Sequence, residues 1–290
     1  MASSQPRDTT LSRRKNAAPS ASGVPLVLIH GFRGTRQGLS LIAKELSATG
    51  EKQGIHYALH APDLPGFGRG AQLKDYSLDS YVEWLHSYMK KTQAKFPRKK
   101  IHLLGHSFGS IICAAYAAKY PRSIQSLVLV NPIGAPALEG PKKTLTKLAI
   151  LYYRVGAALP RNLAHAWLAS PLIVRIMSVT MAKTKDADLR KYIHGQHSRY
   201  FSLFHSPASV LDAFKTSVNH TVRDFAADIP VKTLLVAGSL DDITPLSDQY
   251  ALAKHFPSAT LKVIDHVGHL THYETPDTVA KHVQAFIKSV

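Results

Sequence analysis

Residues 101–112 read IHLLGHSFGSII. An apolar run stops at Gly105, gives way to His106, Ser107 and Phe108, reaches Gly109 and turns apolar again. Strand, tight turn and helix is the context in which G-x-S-x-G forms a nucleophile elbow. In such an elbow the serine sits in a strained backbone conformation, and its hydroxyl stands clear at the positive end of a helix. A turn built of small residues fits the pentapeptide equally well. The rest of the chain decides between them.

Upstream, Val24 to His30 (VPLVLIH) is a continuous apolar run ending at Gly31, as expected of a strand buried on both faces. Leu39, Ile42 and Leu46 then recur at helical spacing, and HYALHAPD gives a second strand stopped by LPGFGRG. Ser77 opens a helix with Leu78, Tyr81, Val82, Leu85 and Met89 on one face. IHLLGH is the third strand, a helix runs from about Ser110 to Tyr120, and IQSLVLVN is the fourth strand. The rhythm resumes at VKTLLVAG (Val231 to Gly238) and TLKVID. Thr244-Pro245 and Thr275-Pro276 start the helices that follow them, with proline at the first position. Alternation of this kind predicts an α/β fold with a mainly parallel sheet covered on both faces.

Between Pro132 and about Pro230 the alternation stops. The segment has helical patterns punctuated by Pro141, Pro160, Pro171 and Pro207, and SPLIVRIMSVTMAK (Ser170 to Lys183) is apolar on nearly every side. We expect a helical cap over the C-terminal edge of the sheet, where open α/β sheets bind ligands. The expected organisation is a core of residues 23–132 and 230–290, a cap of residues 133–229 and a disordered basic tail of residues 1–22.

A serine nucleophile needs a base, and the base needs an orienting acid. Asp241 follows the fifth strand and His269 the sixth, so Ser107, Asp241 and His269 all leave C-terminal strand ends. Their chain order, Ser, Asp, His, is the one associated with this elbow. Asp242, His266 and His272 are the neighbouring competitors. No H-E-x-x-H or comparable set suggests a metal, and GFGRG lacks the surroundings of a dinucleotide fingerprint, so no cofactor is expected.

From Val24 onward the chain resembles the α/β-hydrolase fold family. LIHGFRGT is similar to the family's His-Gly oxyanion loop, DLPGFGRG to its Asp-x-x-Gly-x-Gly loop, and GHLTHYETP to its catalytic-histidine segment. Nothing before Val24 supplies the family's first two strands, so a shortened sheet of about six is expected. The resemblance implies Ser107 as nucleophile, His269 as base, and Asp241, favoured over Asp242, as the orienting acid. It implies the backbone N–H groups of Phe32 and Phe108 as oxyanion donors. His30, Gly31 and His106 fall in the substrate loops, His30 as a loop organiser and His106 at a variable, structural position.

Dehalogenases and epoxide hydrolases of this fold use aspartate at the elbow, and Ser107 argues against both. The expected function is ester hydrolysis, by a carboxylesterase or lipase-like enzyme acting on a small-molecule or lipid ester with an apolar acyl group. The alternatives are a carbon–carbon hydrolase of the meta-cleavage type, disfavoured by Leu270 where those enzymes often carry tryptophan, acyl transfer to an acceptor other than water, and a non-catalytic binding protein.

The net charge is +17, with 36 Lys and Arg against 19 Asp and Glu. No zinc-ligand, heptad or RNP-type pattern accompanies it, so nucleic acid is not an expected partner. Ten Lys and Arg against two acids between Pro141 and Lys191 suit peripheral contact with an anionic membrane. No secretory signal or membrane-spanning run is evident, and the single cysteine, Cys113, fits a reducing compartment, so a cytoplasmic location is expected. Within its helix Cys113 reads as a buried small hydrophobe.

Overall fold

A computed structural model describes residues 23–136 and 143–290. The predicted basic tail, residues 1–22, and Pro141 in the cap lie outside them. Six strands, β1 (Val24–Ile29), β2 (Tyr57–His60), β3 (Ile101–His106), β4 (Ile124–Val130), β5 (Thr233–Gly238) and β6 (Ala259–Ile264), form one parallel sheet in the order β2-β1-β3-β4-β5-β6. This is the expected six-strand α/β architecture.

The continuous apolar runs follow from burial on both faces. Val27, Ile29, Leu103, Leu127 and Leu129 point into one core layer, and their neighbours Leu26, Leu28, Leu104, Val128 and Val130 into the other. Alternation with a period of two gives each layer half of every strand. On the second layer lie α1 (Ser40–Lys52) and the C-terminal helix. Leu39, Ile42 and Leu46 meet Val279, Ala280 and Val283 there. Against the first lie α2 (Leu78–Gln93), with the Ser77 side chain accepting from Ser80 N–H as its cap, and α3 (Phe108–Lys119), whose Cys113 is buried directly behind the turn at Gly105. β6 closes one edge and alternates exposed with half-buried residues, as an edge strand can.

The helices between β4 and β5 are α4 (Lys143–Ala158), α5 (Arg161–Leu168), α6 (Pro171–Met181), α7 (Ala187–Tyr200), α8 (Pro207–Asn219) and the short α9 (Arg223–Ala226). After β5 come α10 (Leu246–Ala253), α11 (Thr271–Glu274) and α12 (Pro276–Lys288). Pro245 is the cap of α10, one residue earlier than the sequence reading placed it.

The apolar helix α6 buries only Val174 and Ser178, while Leu172, Ile176 and Val179 face outward. Sequence reading expected cap helices suited to an acyl group. These side chains of α6 turn away from the fold instead. The helices between β4 and β5, the segment expected to form a cap, are joined to the rest of the fold by an isolated antiparallel bridge between Phe67 and Phe204, and by Glu274, whose Oε1 accepts from Lys183 N–H at 2.7 Å.

Candidate active site

β3 ends at His106, and Ser107 caps α3 with φ 52° and ψ −120°. The flanking glycines are required by close approach. A Cβ on Gly109 would lie 2.5 Å from the Ile29 carbonyl oxygen, and one on Gly105 would lie 2.5 Å from the Gly109 carbonyl oxygen and 2.8 Å from Cys113 Sγ. Arg33, Ser107, Asn131 and His266 are the non-glycine residues with positive φ among the described residues. They follow β1, β3, β4 and β6, so the strained backbone gathers at one edge of the sheet.

At that edge Ser107 Oγ lies 2.8 Å from His269 Nε2, and His269 Nδ1 lies 2.7 Å from Asp241 Oδ2. All three residues are buried, with Ser107 at 9% exposure. With Nδ1–H given to the carboxylate, Nε2 is left as the acceptor facing the serine hydroxyl, which is the arrangement a general base needs.

Asp241 also accepts from the N–H of Ile243 (2.7 Å) and Thr244 (3.0 Å), from Thr244 Oγ1–H (2.6 Å) and from Asn131 Nδ2–H (2.6 Å). Burial works to raise its pKa, but the bonds from His269 and Thr244 outweigh this and hold the carboxyl well below the usual carboxylate range. The acid is therefore an anion at neutral pH. Asp242 is exposed and turns to Lys183 Nζ on the cap.

The Phe32 and Phe108 N–H groups donate to no other group among the described residues. Phe108 N–H belongs to the first turn of α3, where a helix leaves its donors free. The Phe108 ring is fully buried, 5.4 Å from Tyr81, so its side chain serves the core. The Phe32 ring sits among Phe67, Phe108, Tyr153 and Phe214 at 5.8–6.2 Å, an apolar cluster shared between core and cap.

The remaining predicted residues organise the loops. His30 donates Nδ1–H to the Gly31 carbonyl at 2.9 Å and accepts Leu64 N–H on Nε2 at 2.8 Å, which joins the loop after β1 to the DLPGFGRG loop. Asp63 strengthens that joint by accepting from the N–H of Arg36 and of Arg69. A Cβ on Gly31 would approach Ser107 Cβ to 3.2 Å. His106 Nε2 lies 3.3 Å from the His269 carbonyl oxygen, and burial pushes its pKa down to about 3. His272 is buried against His106, its pKa also lowered by burial, and His266 is exposed, while the Ser107 hydroxyl is hydrogen-bonded to His269.

Sequence reading missed Asn131 and Thr244. Asn131 follows β4 with φ 46°, donating also to the Gly268 carbonyl and accepting from Thr271 Oγ1–H. The signal was present as an asparagine at a strand end, since asparagine tolerates the left-handed region better than most residues.

A family model described as the alpha/beta hydrolase fold matches residues 24–276. Lipase 1 of Psychrobacter immobilis is 30% identical over 277 residues, covering 92% of this chain and 78% of that protein. Lipase 3 of Moraxella sp. (strain TA144) is 29% identical over 276 residues, with the same coverage. Among solved structures, an esterase from Exiguobacterium antarcticum superposes with a TM-score of 0.72 at 17% identity, covering 92% of both chains.

Proposed function

The chain belongs to the alpha/beta hydrolase fold family, and from that premise we propose that it is a serine carboxylesterase or lipase-like enzyme working through Ser107, His269 and Asp241. The observation that carries this reading is the unbroken hydrogen-bond run from Ser107 Oγ through both His269 nitrogens to a buried carboxylate. Lipase relatives near 30% identity support an ester as the substrate.

In this reading Ser107 Oγ attacks the acyl carbonyl carbon while its proton passes to His269 Nε2. The carbonyl π electrons move onto oxygen, which the Phe32 and Phe108 N–H groups receive. Donors of this kind contribute about 3–4 kcal/mol of barrier lowering each. Collapse expels the alkoxide, which takes the proton from His269. Water then enters by the same route and releases the acid. The Phe32 cluster suits an apolar acyl chain.

Peripheral contact with an anionic lipid surface is part of the same reading. Leu148, Leu151 and Val155 on α4, Leu163 and Trp167 on α5, and Leu172, Ile176 and Val179 on α6 are all exposed, Leu172 at 67%. The three helices expose Lys147, Arg154, Arg161 and Arg175 and carry no acidic residue. Arg161–Met181 has the length and, at a mean hydropathy of 1.3, the composition of a membrane span. Yet it is broken between α5 and α6 and buries Ala164, Leu168, Val174 and Ser178 in the fold, which suits a segment lying on a bilayer. A two-fold contact between copies would set this basic face against itself.

Treatment with a fluorophosphonate probe tests the central reading. Labelling of wild type but not of Ser107→Ala, together with turnover of p-nitrophenyl esters by wild type alone, is the expected result. Folded wild type that neither reacts with the probe nor hydrolyses esters would overturn it. Rates across acyl chain lengths separate esterase from lipase, and a carbon–carbon hydrolase would require a diketone substrate.

A further inference from the structure

Arg33 follows Phe32, the loop residue whose N–H is read above as an oxyanion donor. Its backbone has φ 56°, in the left-handed region that favours glycine, yet the chain keeps an arginine there between Phe32 and Gly34. The side chain is 1% exposed and belongs to the largest fully buried ones.

The guanidinium donates Nη2–H to the Leu168 carbonyl at 2.6 Å and Nε–H to the Phe201 carbonyl at 3.1 Å, with Nη1 3.5 Å from Tyr153 Oη. Leu168 is the last residue of α5, Phe201 caps the C-terminus of α7, and Tyr153 belongs to α4. Its carbon lies 5.7 and 5.9 Å from the ring centroids of Phe201 and Phe204. Among the described residues no carboxylate bonds to it.

A buried cation without an acid is costly unless other groups replace its water. Here two helix C-termini, where unsatisfied carbonyls concentrate partial negative charge, converge on one guanidinium, and two aromatic faces add to the field. One buried side chain thus joins three cap helices to the oxyanion loop, anchored one residue from the N–H that the chemistry needs. Phe32 shares the arrangement, with its ring 5.9 Å from both Tyr153 and Phe214 of the cap.

We propose that Arg33 is a positioning residue that holds the Phe32 N–H in place for the oxyanion by fastening its loop to the seated cap. The oxyanion hole is then complete only while α4, α5 and α7 are docked. This rests on the reading of Ser107 as nucleophile and Phe32 N–H as oxyanion donor. A residue serving stability alone would alter melting and leave the transition state untouched.

The test uses the full chain with Arg33→Gly and Arg33→Lys. Glycine relaxes the left-handed backbone, so this variant removes the side chain without adding backbone strain. Lysine keeps the charge but offers a point donor that cannot span two carbonyls. Both variants should lose about 10- to 100-fold in kcat on a soluble short-chain p-nitrophenyl ester, less than outright deletion of a donor. KM should change less than about twofold, the mark of an interaction made in the transition state.

Affinity for a trifluoromethyl ketone, which forms an oxyanion on the serine, should fall by the same factor as kcat, while affinity for the parent alcohol holds. Guanidinium chloride, and not sodium chloride at equal ionic strength, should restore part of the Arg33→Gly loss. Unchanged kcat and ketone affinity in folded Arg33→Lys, whatever its melting temperature, would overturn the proposal. Failure of wild type to react at Ser107 would instead remove the catalytic reading beneath it, so the two failures are distinct.

Discussion

Asn131 Nδ2–H and His269 Nδ1–H donate to the same oxygen, Asp241 Oδ2, at 2.6 and 2.7 Å. The acid is thus held from β4 as well as from its own loop. Hydrogen bonds to a charged group are worth about 1.5–3 kcal/mol. Asn131→Gly keeps the left-handed backbone comfortable and removes the donor to Asp241, together with the bonds to Gly268 and Thr271. Its kcat should fall about 10- to 100-fold with KM little changed, measured on a soluble ester. Wild-type kcat in this variant would dismiss the role.

Asp241 and Asp242 are adjacent but face opposite ways. Asp241→Asn should lower kcat on the order of 10⁴-fold, because an amide favours the wrong imidazole tautomer. Asp242→Asn, which weakens an exposed pairing with Lys183, should stay within about twofold of wild type, as surface ion pairs contribute little. Steady-state rates of the two variants side by side decide this, and a reversed order would refute the assignment.

Stability should fall on acidification well above the carboxylate range. Burial pushes His102 and His197 down to about 4 and His106 to about 3. Their unfolded values lie near about 6.5. A folded pKa below the unfolded one gives stability that is complete above about 6.5 and lost as pH falls towards 3–4. Each histidine contributes a slope of about 1.4 kcal/mol per pH unit in that window. Asp241, also depressed, adds a loss only below about 4. Melting temperatures from pH 7.5 to 4.5 should decline, and His102→Gln, at the opposite end of β3 from Ser107 and beside Ser126, should reduce the slope by about one proton. A flat profile would contradict this.

Vesicle co-sedimentation checks the proposed contact of α4 to α6 with an anionic lipid surface. Wild type should pellet with vesicles containing phosphatidylglycerol at low salt and be released as salt rises. Reversing charge with Arg161→Glu and Arg175→Glu should weaken binding about 10-fold or more, at about 1 kcal/mol per basic residue near the surface. Turnover of a soluble ester should not change. Equal binding to neutral and anionic vesicles would count against the charge complementarity, and a concentration-dependent dimer without lipid binding would assign the face to a second copy.

Much of this was legible before any coordinates. The strands announce themselves because burial on both faces demands unbroken apolar runs, and Ser107, Asp241 and His269 could be grouped because parallel strands deliver their ends to one edge. Arg33, Asn131 and Thr244 were not legible. Their roles depend on partners more than a hundred residues away, or on a side-chain direction that spacing does not encode. The outward faces of α4 to α6 were hidden for a related reason. Apolar composition tells that a helix avoids water, and tertiary packing decides whether protein or something else covers it.

Gly105 has room for no side chain because Cys113 Sγ lies just behind it, in a fully buried site that raises the thiol pKa far above its ordinary value. Cys113 is also the sole cysteine of the chain. The protein therefore carries a built-in reporter of the elbow. A thiol reagent such as DTNB reaches this sulfur only when the turn beneath Ser107 opens, so the labelling rate measures how often Ser107 loses its support.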